Sequence, residues 1–255
     1  MIHWLIQSIT AHPDLAHGQA PPGLLSKAET TIFNGFSVRK RRQDWLLGRW
    51  TTKLLLQEII HRQLGRLLPL DSIAVLPGPD GAPRLSFTSA GSDLSPAFSV
   101  SISHSHGFSF CAVVTAPNWP LGADMELIEP RSPSFVADFF TAEEQEQVRE
   151  SAPAVREALV TAVWSGKEAA LKAVRQGLRS DTRSVSCHFA GGIAAGLPGS
   201  EADSLIRANG GIAGAAPWQS FAIRWQRAAA GAHHPPLKGW WMVRGSHVLT
   251  LAAQV

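Results

Sequence analysis

The sequence predicts an α+β fold, and three features carry that prediction. Each half of the chain holds one long helical stretch; several strand-like runs surround each stretch; and 255 residues that are 45% hydrophobic and 17% charged suffice for one large core or two small ones. The recurrence of one long helix with several strands suggests a duplicated unit, although no residue-level repeat is visible.

The elements follow in chain order. Residues 2–9 read as a short strand, and Ser26 with Glu29 forms a capping box that opens a helix. A longer helix is expected from Val38 to Leu64, with apolar residues at 46, 47, 50, 54, 55, 59, 60 and 64 and Gly65 placed to end it. PGPDGAP at 77–83 is a turn cluster, and Phe98, Val100 and Ile102 alternate with serines as in a half-buried strand. FSFCAVV and GADMEL continue the strands. Thr141 and Glu144 form a second capping box, and Pro153 starts a helix expected to reach Gln176, with Gly177 as its left-handed stop. SVSCHF, QSFAIRW, GWWMV and HVLTLAA read as strands, and the Gly/Ala/Pro-rich segments 190–217 and 228–236 as loops.

Composition narrows the function classes. No run of about 18 apolar residues is present, and MIHWLIQSITAH lacks the basic start and long apolar centre of a signal peptide, so a soluble cytoplasmic protein is expected. Cys111 and Cys187 sit in separate strands without a CxxC or Cys/His cluster, which reads as two buried reduced thiols. The net charge is +3. It is unevenly spread: residues 39–53 hold six basic residues against one acidic, whereas 138–148 are acidic.

Three constellations can carry chemistry. Arg42, Arg49 and Lys53, spaced seven and four apart, share one helix face and suit a phosphate-bearing partner; a solvated basic face is the competing reading. In SISHSHGF, His104 ends a strand beside Ser103, Ser105 and Gly107, groups that can bind an anion; a metal site on His104 and His106 lacks a third ligand. In VWSGKEAALKAV, Trp164, Glu168 and Lys172 share one face, with a surface Glu–Lys pair as the bland alternative. GADMEL adds a tension. Alternation puts Asp124 and Glu126 on one strand face, roughly 7 Å apart, where they repel by about 2 kcal/mol at an effective dielectric of about 20.

Taken in order, SISHSHG, GADMELIEPR, FTAEEQ and WSGKEAALKA resemble the signature of the surfactin-type 4′-phosphopantetheinyl transferases, and RRQDWLLGR resembles that family's upstream segment. The resemblance spans roughly residues 24–178. It implies a pseudo-dimer of two similar α/β halves, here 1–120 and 121–255, with the active site in the cleft between them. The implied reaction moves the phosphopantetheine arm of coenzyme A onto a serine of an apo acyl, peptidyl or aryl carrier protein and releases adenosine 3′,5′-bisphosphate. The implied protein is a magnesium-dependent monomer with no membrane or nucleic-acid partner.

By the same resemblance, Asp124 and Glu168 are magnesium ligands, Glu126 binds the ion directly or through water, Glu168 is the base and Lys172 neutralises phosphate charge. His104, Ser103, Arg42 and Arg49 are matched to coenzyme A. One departure is GAPRL at 81–85: Ala82 stands where many relatives carry lysine, which leaves Arg84 as the compensating cation. Two alternatives stay open on the residues: a polyanion-binding module resting on the basic segment, which leaves the carboxylates unexplained, and a degenerate homologue that binds coenzyme A or carrier without turnover.

Overall fold

The computed structural model describes residues 1–88, 92–94, 97–177, 180–189, 210–211, 218–226 and 234–254. The segments expected as loops, 190–217 and 228–236, lie outside these apart from 210–211 and 234–236. The architecture is mixed α+β in two compact units. The first holds Met1–Trp119 with a two-residue strand at Gly210–Gly211, and the second holds the other described residues from Pro120 onward.

In the first unit, β1 (Ile2–Ser8) is followed by α1 (Pro13–His17), α2 (Lys27–Asn34), α3 (Arg39–Leu64), β2 (Ile73–Pro77), β3 (Pro83–Phe87), β4 (Ser99–Ser105) and β5 (Phe108–Val114). The sheet runs β4-β5-β1, with β8 (Gly210–Gly211) at its edge, and β2 and β3 form a separate hairpin. Helix α3 keeps its predicted bounds: Val38 is an extended N-cap, and Gly65 at φ 66° donates its N–H to the His61 carbonyl. His106 and Gly107 turn β4 into β5 with φ of 47° and 81°, the left-handed pair whose twist matches a two-residue hairpin. Leu55, Leu56, Ile59 and Ile60 of α3 pack on Leu5 of β1 and on Cys111 and Val113 of β5. Burying each such side chain contributes about 1.5–3 kcal/mol.

Strand β4 departs from the half-buried expectation. Ser99, Ser101, Ser103 and Ser105 are all buried, whereas the other face runs from buried Val100 through half-buried Ile102 to exposed His104, so the serine face is the covered one. Ser99 shows how a hydroxyl is tolerated there: it donates to Ala116 O and accepts from Trp119 N, both at 2.8 Å.

In the second unit, β6 (Leu121–Leu127) leads to α4 (Pro133–Phe139), α5 (Ala142–Glu150), α6 (Pro153–Ala173), β7 (Val185–His188), β9 (Gln219–Trp225), β10 (Leu237–Arg244) and β11 (His247–Gln254). All strands pair antiparallel in the order β6-β11-β10-β9-β7, and α6 packs on this sheet through Leu159, Val163, Ala170 and Leu171. Helix α6 stops at Ala173, short of the expected Gln176. Arg175 takes the left-handed position at φ 57°, with its N–H on Lys172 O and Gln176 N–H on Leu171 O, so the C-terminal motif closes before Gly177 is reached.

The two units share one order of elements, strand, three helices and four strands, and one three-strand arrangement, β4-β5-β1 matching β10-β11-β6. They also share a buried device. Glu29, third residue of the first capping box, accepts from Ser26 N and from Lys53 Nζ at 2.5 Å with one oxygen, and from Val75 N at 2.9 Å with the other. Glu144, third residue of the second box, accepts from Thr141 N and Lys167 Nζ (2.7 Å) with one oxygen and from Cys187 N (2.7 Å) with the other. All four charged side chains are fully buried. Each carboxylate thereby ties a helix start, the following long helix and a strand together, satisfying its oxygens so that burial of the charge is tolerated.

This corrects the reading of the basic helix. The seven-and-four spacing does put Arg42, Arg49 and Lys53 on one face, which is buried at Lys53 and half-buried at Arg42 and Arg49. Lys53 is fully buried on Glu29 and Leu24 O. Arg49 donates to Val75 O and lies 4.0 Å over the Trp45 ring, and burial lowers its pKa to about 10 despite the nearby Glu29. Arg42 donates to Gly18 O and Phe36 O and covers Phe33. The two cysteines are buried thiols, and burial pushes the Cys111 thiol up to about 12.

Candidate active site

The second unit gathers the acidic residues on one face of β6. Ala123 and Met125 are fully buried on the other face, while Gly122, Asp124 and Glu126 share the parity that meets α6. Gly122 marks the closest approach. A Cβ there would overlap the Ala169 carbonyl, so the strand and helix backbones touch where only a hydrogen fits. Beside it, Ser165 Oγ and Thr250 Oγ1 lie 2.8 Å apart and Thr250 also donates to the Ser165 carbonyl at 2.9 Å, joining α6 to β11 opposite Asp124.

The helix face is the one the spacing predicts. Lys172 Nζ donates to Asp124 Oδ1 at 2.6 Å and to Ala123 O at 3.3 Å, so the helix lysine reaches across to the strand. Burial alone lowers the lysine pKa, but Asp124, Glu168 and Glu126 outweigh it and the net shift is upward. Glu168 moves up too, from burial first and then from Asp124. Its Oε1 is buried with no hydrogen-bond partner. Glu126 is pushed up to about 7 by burial and by Asp124, against Arg131, a hydrogen bond to Trp164 and Lys172.

Sequence reasoning placed Trp164 on the face of Glu168 and Lys172 without giving it a partner, and it did not find Arg131. Arg131 lies 3.4 Å from Glu126 and 3.1 Å from Glu129, with its guanidinium over Phe135. Trp164 packs edge-on against Phe135 and Phe139 while bonding Glu126. Arg131 sits five residues past Glu126 beyond the strand end, so no periodicity marks it. Lys167 was signalled only indirectly, by the capping-box glutamate that needs a counter-charge.

Among the described residues, no group of three His, Cys, Asp or Glu side chains is close enough to hold a metal. The donor chemistry nevertheless fits a hard divalent cation: Glu168 presents an orphaned buried oxygen, and Asp124 raises the proton affinity of both glutamates, so a positive charge there relieves the cluster.

In the first unit, His104 is exposed near the end of β4 while Ser103 is 6% exposed on the opposite strand face, so the two side chains do not share a surface. Arg84 stands on β3, largely exposed and 3.9 Å from Asp80. His106 occupies the hairpin turn, with Ser105 Oγ 3.1 Å from Nδ1.

The raised Glu126 carboxyl has a measurable consequence. A folded pKa above the unfolded value means that the native state binds the proton more tightly, so stability falls as pH rises from about 4.5 to about 7 and levels off above. Thermal melts of metal-free protein between pH 5 and 8 should show this loss, at most about 3 kcal/mol, and Glu126→Gln should flatten it. Equal slopes in the two proteins would contradict the assignment.

Residues 120–225 match the family model of the 4'-phosphopantetheinyl transferase superfamily. No curated protein matches the chain. Solved structures similar to it include the holo-[acyl-carrier-protein] synthase of Thermotoga maritima, at 18% identity over 55% of this chain and 74% of that one, with a TM-score of 0.36. The Bacillus anthracis synthase in complex with CoA (3',5'-ADP) gives 20%, 44%, 91% and 0.36 in the same order. The Helicobacter pylori synthase in complex with coenzyme A gives 21%, 46%, 100% and 0.35.

Proposed function

We propose that this chain transfers the 4′-phosphopantetheine arm of coenzyme A to a serine of an apo carrier protein, leaving adenosine 3′,5′-bisphosphate, as a surfactin-type transferase built of two similar units. The observation that carries the reading is the convergence of Asp124, Glu126, Glu168 and Lys172 between β6 and α6, inside the segment that matches the superfamily.

In this reading Asp124, Glu126 and Glu168 hold a divalent cation, magnesium being the hard-oxygen choice. When bound, that ion would neutralise the coenzyme A diphosphate as the bond to the phosphopantetheine phosphorus breaks. Lys172 places a lasting positive charge beside Asp124, where the departing bisphosphate accumulates negative charge. Glu168, whose proton affinity is raised by burial and by Asp124, accepts the carrier serine's proton at Oε1, directly or through water. Arg131 and Trp164 hold Glu126. His104 contacts the coenzyme A phosphates, Arg84 supplies the cation that Ala82 does not, and Arg42 retains donors beyond those spent on Gly18 and Phe36. Arg49 and Ser103, matched to coenzyme A by the same resemblance, have less open side chains, since Arg49 donates to Val75 O and Ser103 is buried. The polyanion reading leaves the carboxylate cluster unexplained, and Arg42, Arg49 and Lys53 of its basic segment bond backbone acceptors within the first unit.

The test is mass spectrometry of apo carrier proteins from several pathways after incubation with this chain, coenzyme A and magnesium. A gain of one phosphopantetheine on the carrier serine, abolished by chelator, is expected. Unmodified carriers throughout, with folded protein and metal present, would refute the reading, and coenzyme A binding without any mass gain would instead mark a degenerate homologue.

A further inference from the structure

We infer that Gly48 is a positioning residue for His104, an inference that rests on the proposed contact between His104 and coenzyme A. Gly48 lies buried in the middle of α3, in regular helix, where its backbone conformation does not call for glycine. Glycine there costs about 1 kcal/mol of helix stability relative to alanine. The space its missing side chain leaves is taken by the imidazole. A Cβ at position 48 would stand 2.5 Å from His104 Nε2, closer than real contacts allow, and a tight 3.0 Å from Cε1, whereas Ile102 Cγ2 would be at an ordinary 3.4 Å.

The His104 ring therefore lies flush against α3, and the glycine fixes how near Nε2 sits to the helix. A methyl group at position 48 would push against the far end of a side chain that can rotate, so the ring yields while the strand and helix keep their packing. Phosphate recognition by a single imidazole depends on placing one nitrogen within hydrogen-bond reach, a tolerance of a few tenths of an ångström. Gly48 thus acts on coenzyme A through His104 without touching it.

The experiment compares Gly48→Ala, His104→Ala and the double variant in the full chain. The measurements are coenzyme A affinity, KM and kcat for carrier modification, melting temperature and the His104 ring proton resonances. Gly48→Ala should weaken coenzyme A about tenfold, an effect on KM with kcat kept, and should melt no lower than wild type. In the His104→Ala background the same change should cost nothing further, because the clash is gone. Wild-type coenzyme A affinity in Gly48→Ala would overturn the inference, as would a full additive loss in the double variant. The ring resonances separate the two layers of the argument: shifted His104 signals in Gly48→Ala support the contact, and unshifted ones overturn it. Failure of the wild-type chain to bind coenzyme A would refute the proposed function instead.

Discussion

Glu168→Gln is expected to lose at least about a hundredfold in carrier modification while melting at a higher temperature than wild type in metal-free buffer. The first effect follows from removing the group assigned both to the cation and to the serine proton, a loss on the order of 10²–10⁴ for general-base removal alone. The second follows from electrostatics. Burial and Asp124 both disfavour the charged form of Glu168, and their sum exceeds the help from Lys172, so the neutral amide relieves a penalty the native fold carries. A stabilised but inactive variant is the mark of a carboxylate retained for function. Asp124→Asn should differ in sign: it leaves Lys172 without its 2.6 Å partner and should lower the melting temperature as well as turnover. Parallel melts and mass-shift rates decide both. If Glu168→Gln turned over within a few-fold of wild type, Glu168 would hold neither role.

Gly122→Ala should be the most damaging small substitution in the second unit. The added methyl meets the Ala169 carbonyl and the Ala173 N–H, which belong to the α6 backbone and cannot rotate away, so strand and helix must separate. Overpacking of this kind costs about 3 kcal/mol or more when the obstacle is backbone. The same separation draws Lys172 and Glu168 away from Asp124, so any folded fraction should be nearly inactive. Circular-dichroism melts and the mass-shift assay check the two effects. A variant melting within a degree or two of wild type would mean that β6 and α6 are not packed this closely. The contrast with Gly48→Ala is instructive, since there the obstacle is a movable ring and the fold is expected to survive.

The legibility of the chain divides along one physical line. Element types and many boundaries were readable because they depend on neighbours within about four residues. The capping boxes at Ser26/Glu29 and Thr141/Glu144, the Pro153 start, the Gly65 stop and the strand at GADMEL are local chemistry. So too is the sharing of a face by Trp164, Glu168 and Lys172, and by Asp124 and Glu126. The misplaced end of α6 came from Arg175 entering a conformation for which glycine is the usual occupant.

Periodicity sets the directions of side chains relative to each other within one element, but it does not say which direction meets another element. That is why the sequence determined the α+β content, the two long helices and the grouping of the carboxylates, while tertiary structure alone decided what those groups face. Only packing covered Arg49 and Lys53, buried Ser103 away from His104, joined each capping-box glutamate to a lysine more than twenty residues on, and set the His104 ring against Gly48 and the α6 backbone against Gly122. Each of these is a contact between atoms far apart in the chain, and its energy exists only once the elements have met.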